Sequence, residues 1–161
     1  MKLSTREDID APIDQVFKEL CDFQRHERQA IRRGAEVQRI DNRSAPGVGM
    51  SWETSFDLRG KRRDMILLTD RYDAPNLLGV KATSTGLDAD FALELIALSR
   101  TRTRVTIGLE LSPKNLSTRL VVQSMKLAKG TLSKRFKLRM AEYARSIEDR
   151  LNKSARSHAR H

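Results

Sequence analysis

Three histidines, one cysteine, one tryptophan and two tyrosines are the scarcest chemistry-bearing side chains in this 161-residue sequence. His158 and His161 fall in the terminal run KSARSHARH, and His26 falls in the charged stretch QRHERQAIRRG. Those surroundings read His26 as a solvated surface residue, which leaves no histidine for a Ser-His-Asp triad. Cys21 follows Leu20 near a helix end and reads as a small core-facing residue, not as a reactive thiol. A lone cysteine allows neither an internal disulfide nor a cysteine-based metal cluster. The carboxylates are spread singly along the chain, so no metal site is expected, and the glycines fit turns, not a phosphate loop. No cofactor is expected. The remaining candidates for acid–base chemistry are Glu7, which shares strand parity with Ile9, and the pair Asp70 and Tyr72. An unpaired buried carboxylate costs several kcal/mol or raises its own pKa. An inward Glu7 is therefore a paired structural residue or a pocket acid, and the structural role is favoured.

These side chains must be carried by elements. Residues 3–9 alternate and predict a strand. Ala11-Pro12 ends it, with Pro12 in the first helical turn and Asp10 or Ala11 at the cap. Ile13, Val16, Phe17 and Leu20 then follow at amphipathic-helix spacing. QRHERQAIRRG predicts a second short helix stopped by Gly34. From Ala35 the period is two. AEVQRID, MSWETSFDL, RDMILLTDRY, LLGVKATS, DADFALELIAL and TRVTIGLEL predict six strands, joined by turn signals such as PGVG, RGKR and DAPN. Trp52, Thr54 and Phe56 share one face of the third strand. In residues 63–72 both parities carry apolar side chains, so the pattern leaves the inward face open between Met65/Leu67 and Ile66/Leu68. After Pro113 the period becomes 3.6, predicting one long helix from about Ser117 to Asn152, with Gly130 as a place to bend. Residues 153–161 lack apolar anchors and are expected to form a disordered basic tail.

This inventory predicts a single α+β domain over residues 1–152, in which a curved seven-stranded antiparallel sheet closes on the long C-terminal helix and two short helices plug one end. A cavity between sheet and helix is expected. Its lining would come from Trp52, Thr54, Phe56 and Met65, from Phe91, Leu93 and Leu109, and from Val121, Met125 and Leu132 of the long helix.

The net charge of +10 is unevenly placed. Residues 1–113 hold 18 Lys and Arg against 18 Asp and Glu, whereas residues 114–161 hold 13 against 3. A neutral body thus carries a basic C-terminal segment. Its plainest reading is a solvated helix face whose long stems cover apolar surface. Its sharper reading is attachment to an anionic membrane or to RNA, with specific nucleic-acid recognition disfavoured because no aromatic platform accompanies the charges. The first residues lack an apolar signal core, and no apolar run approaches a membrane span, so a bacterial-type cytoplasm is the expected location.

IDAPIDQVFKELCDF, at residues 9–23, resembles the first-strand and first-helix signature of the START-like, or SRPBCC, superfamily, including its polyketide cyclase/dehydrase-like branch. The matching residues are Ile9, Ala11, Pro12, Val16, Phe17, Leu20 and Asp22, supported by GVGMSW at 47–52 and TDRYDAPNLL at 69–78. The resemblance covers residues 2–152 and implies a helix-grip fold. The chain departs from it after Asp22, where many relatives place Pro-Trp and here FQRHERQAIRRG stands. The fold hosts carriers, receptors and enzymes, so the expected function is binding of a small apolar or amphipathic ligand (lipid, isoprenoid or polyketide-like). A cyclase or dehydratase using the same cavity, and an interaction protein using the basic helix, are the alternatives.

Overall fold

The computed structural model describes residues 1–58 and 60–159. β1 (Lys2–Ile9) opens the chain with alternating half-buried and exposed side chains and ends on fully buried Ile9. The Ala11 carbonyl accepts a 2.8 Å hydrogen bond from the buried Thr103 hydroxyl, which fixes the strand-to-helix junction. Pro12 is itself the N-cap of α1 (Ile13–Leu20), with extended backbone, one residue beyond Ala11 and two beyond Asp10, where the sequence pattern placed the cap. Its missing N–H costs nothing there. α1 buries Val16, Phe17 and Leu20. Asp22 then caps α2 (Phe23–Arg32), accepting from the Arg25 backbone N–H at 3.2 Å. Gly34, at φ +94°, supplies the left-handed residue that follows it.

Six strands follow: β2 (Glu36–Arg39), β3 (Ser51–Leu58), β4 (Lys61–Asp73), β5 (Leu77–Thr83), β6 (Leu87–Ser99) and β7 (Arg102–Pro113). They form one antiparallel sheet with β1, in the order β1-β7-β6-β5-β4-β3-β2. Arg59, in the RGKR turn, lies outside the described residues.

β4 resolves its own ambiguity with a register shift. Thr69 pairs with Val80 but Arg71 pairs with Gly79, so Asp70 is an extra residue. Before the bulge, Met65, Leu67 and Thr69 are the more buried parity; after it, Tyr72 joins the core. A bulge flips the side-chain alternation, so each parity faces inward over part of the strand.

The C-terminal helical region is two helices, not one. α3 (Leu116–Leu127) ends at Ala128, and α4 (Lys129–Ala159) begins beside Gly130. α4 continues past Asn152, through the segment expected to be disordered, to Ala159; Arg160 and His161 lie outside the described residues. α4 packs along β1 and drives Ala144 and Ile147 into a core shared with Ile9, Val16, Phe17, Leu95 and Val105. Among the described residues, no helix is long and apolar enough to cross a membrane.

Candidate functional site

The core occupies only part of the space under the sheet. Beside it a cavity of about 500 Å³ opens between the concave sheet face, α2 and α4. Its floor is apolar: Leu67 from β4, Leu78, Val80 and Ala82 from β5, Ala89, Phe91 and Leu93 from β6, and Ile107 and Leu109 from β7. The two alanines are directly opposed across β5 and β6. Small side chains at that point leave room where the neighbouring leucines and Phe91 would otherwise meet.

The roof comes from helices. In α2, Phe23, His26, Glu27 and Ala30 line the cavity at i, i+3, i+4, i+7 spacing, and in α4 Met140 and Tyr143 do so one turn apart. His26 is therefore part of the cavity wall, not the solvated surface residue that its charged neighbours suggested. Polar neighbours hid a stripe whose spacing alone would have shown it.

The polar groups gather around this roof. His26 Nε2 donates to the Leu20 carbonyl at 2.8 Å, and Tyr143 Oη lies 3.3 Å from the same nitrogen. A carbonyl only accepts, so Nε2 carries the proton and the Tyr143 oxygen shares it as a second acceptor. The phenolic hydrogen is thereby free for another partner. Burial pushes the Tyr143 hydroxyl up to about 12, so it remains a donor at neutral pH. The other donors are spent. Trp52 Nε1 donates to Glu27 Oε1 at 2.7 Å, and the Thr54 hydroxyl donates to the Met65 carbonyl at 3.1 Å. Trp52 is further held by Phe23, ring centroids 5.3 Å apart, and by the Arg39 guanidinium 5.1 Å from its ring centre. Arg39 is itself fixed by Asp41, whose carboxyl it holds well below the usual carboxylate range.

Of the residues expected to line the cavity, Trp52, Thr54, Phe91, Leu93 and Leu109 do so. Phe56 does not; it borders a separate, more polar recess with Gln29, Arg33 and Asp57. Met65 lies opposite Thr54 in register but outside the lining. Val121 and Met125 are also outside it, because the break at Ala128 leaves α3 off the cavity and Val122 as its buried residue; Leu132, in the first turn of α4, is outside it too.

None of the three acid–base candidates reaches the cavity. Glu7 is half-buried opposite Val105, away from the lining. Asp70 is the bulge residue and pairs on the sheet's outer side with Arg71 and Lys81, at 3.3 and 3.7 Å. Tyr72 packs edge-on against Phe17, ring centroids 5.5 Å apart, and burial raises its hydroxyl pKa. Among the described residues no group of three or more His, Cys, Asp or Glu is placed to hold a metal ion.

Burial pushes the Cys21 thiol up to about 12, so almost none of it is thiolate at pH 8. Iodoacetamide should label it at least about tenfold more slowly than a free thiol of ordinary pKa in the folded protein, and at the ordinary rate in denaturant. Mass-resolved labelling kinetics measure this.

No protein-family model matches the sequence, and no curated protein matches it. Solved structures do match in fold. A protein from Thermus thermophilus superposes at TM-score 0.64 with 12% identity, over 96% of this chain and 99% of that one. A START superfamily protein from Mycobacterium smegmatis gives 0.55 at 9% identity, over 83% and 95%. The Zhui aromatase/cyclase from Streptomyces sp. R1128 gives 0.56 at 14% identity, over 71% and 69%. With its seven-stranded curved sheet gripping a long C-terminal helix, the chain has the START-like, or SRPBCC, helix-grip fold.

Proposed function

We propose that this chain binds one small apolar or amphipathic molecule, of lipid, isoprenoid or polyketide-like character, in the cavity under the sheet. The observation that carries the reading is the combination of about 500 Å³ of apolar space with a few polar groups, on the helical roof and on β3 beside it. Such a volume lies in the range of small-molecule sites. Affinity would come mainly from apolar burial, at about 25 cal/mol for each Å² removed from water. Orientation would come from Tyr143, whose free phenolic hydrogen calls for an acceptor oxygen on the ligand. The fold neighbours support the reading only as fold; one is an aromatase/cyclase, and that activity is the neighbour's. The single, half-buried free cysteine fits the cytoplasmic location expected from sequence.

The test is native mass spectrometry of the protein purified from its own host, followed by solvent extraction. A retained apolar molecule with at least one oxygen supports the reading. A retained polar metabolite such as a sugar phosphate would contradict it. Tyr143→Phe should weaken binding of the extracted ligand about five- to tenfold, the value of one hydrogen bond, and leave the melting temperature nearly unchanged. Calorimetric titration of both forms measures the ratio, and equal affinities would remove Tyr143 from the account.

A second reading, acid–base catalysis in the same cavity, is favoured by one observation: His26 and Tyr143 lie 3.3 Å apart in the wall. Tyr143 would act there as hydrogen-bond donor or general acid, and His26 as the group that orients it. Conversion of the extracted ligand by the wild-type protein but not by Tyr143→Phe would establish an enzyme. Binding without turnover would establish a carrier.

A further inference from the structure

Residues 114–141 contain eight Lys and Arg and no Asp or Glu. The same segment carries apolar side chains that the fold leaves outside. In α3, Leu116 is 73% exposed, Leu120 57% and Leu127 93%. At 100° per residue these three fall within a narrow arc, and Val122, which is buried, lies on the opposite side. The face that an ordinary surface helix gives to water is here a stripe of leucines. Arg119 and Lys126 flank it on one side. α4 repeats the arrangement: Leu138 is exposed opposite the buried stripe, with Lys134 and Arg145 on the same side.

This outward face is set firmly. Asn115 and Thr118 form a reciprocal capping box at the start of α3. The Thr118 hydroxyl lies 2.6 Å from the Gly86 carbonyl, which ties that end to the turn between β5 and β6. Lys114 lies 2.8 Å from Asp88; among the described residues, the other seven cations of the segment form no ion pair. No residue of α3 lines the cavity, so ligand binding does not account for the leucines.

We propose that α3, with the first turns of α4, docks this chain on an anionic lipid bilayer. Leucines on one arc with arginine and lysine beside them are what an interfacial helix needs: apolar side chains enter the acyl boundary while cations meet the headgroups. Two other occupants fit less well. A second copy of the chain would bring two uncompensated basic segments together, at the cost of like-charge repulsion. A nucleic acid would satisfy the cations but leave the leucines in water, and the segment's single aromatic residue before position 142, Phe136, faces the core. The proposal stands apart from what the cavity holds.

Vesicle co-sedimentation tests it. The protein should pellet with mixed phosphatidylcholine/phosphatidylglycerol vesicles at about 0.01 M salt, and be released at about 1 M. It should remain free with phosphatidylcholine alone. Leu116→Ser, Leu120→Ser and Leu127→Ser together should lower the partition coefficient about tenfold or more, with an unchanged melting temperature because the three side chains face out. Arg119→Gln and Lys126→Gln should each lower it about fivefold, and they carry the test should the triple variant fail to fold. The proposal is overturned by no pelleting at low salt, by pelleting undiminished by the leucine variant, or by a dimer in sedimentation velocity that the leucine variant dissolves. Preferential retention of RNA over vesicles at equal salt would overturn it in favour of the nucleic acid.

Discussion

Ala82→Phe is expected to abolish uptake of an apolar ligand while leaving the chain folded and at least as stable as the wild type. Ala82 is only 9% exposed and lines the cavity, with Leu67 on one neighbouring strand and Ala89 on the other. A benzyl group there projects into the empty volume above two opposed alanines. It would occupy a substantial share of the about 500 Å³ available, beside Leu67, Ala89 and Phe91. Affinity should fall about a hundredfold or more, equivalent to roughly 3 kcal/mol. Stability discriminates between a cavity and a filled core. Adding this bulk to a packed interior costs about 1–3 kcal/mol, whereas filling a void restores dispersion contacts. Urea unfolding of the variant measures the sign.

The second large effect is expected at Ile147. This residue is fully buried, on the stripe by which α4 packs beside β1, and it shares the core with Ile9, Val16 and Leu95. Ile147→Ala should cost about 2–5 kcal/mol, from lost transfer energy and the void left behind. For a domain of this size each kcal/mol lowers the melting temperature by about 2–4 °C, so a fall of roughly 10 °C is expected. Tyr143 stands one turn earlier on the same helix and Met140 two turns earlier, so looser α4 packing should also weaken ligand binding. Leu138→Ala, on the opposite and exposed side of α4, is the control and should change stability by less than about 0.5 kcal/mol.

Legibility in the sequence differed between the sheet and the helices. Alternation in β3, β6 and β7 placed Trp52, Thr54, Phe91, Leu93 and Leu109 on the concave side, because every second residue must face the same way. β4 could not be read because its bulge at Asp70 inverts the alternation midway, and TDRY carries no glycine to mark it. The helical half of the site failed in two ways. α2 places His26 and Glu27 at positions where apolar residues normally reveal a period, so the cavity-facing stripe looked solvated. The 3.6-residue period after Pro113 predicts a single helical phase across Ala128, where the structure has a break. With the helix broken there, α3 lies off the cavity and Val121 and Met125 drop from the lining, as does Leu132 at the start of α4. Residues further along α4, Met140 and Tyr143, take their place. Parity and proximity in sequence single out Glu7, Asp70 and Tyr72, and neither reports which group keeps an unspent proton beside an apolar space.

The central claim is that the space under the sheet is a binding cavity, and the lone tryptophan in its wall provides the measurement. Titration with an apolar fluorescent probe such as anilinonaphthalene sulfonate, followed through Trp52 emission, should give one saturable site per chain with quenched tryptophan. The site should be absent in a folded Ala82→Phe variant. No saturable binding to the wild type, or equal binding to both proteins, would contradict the account.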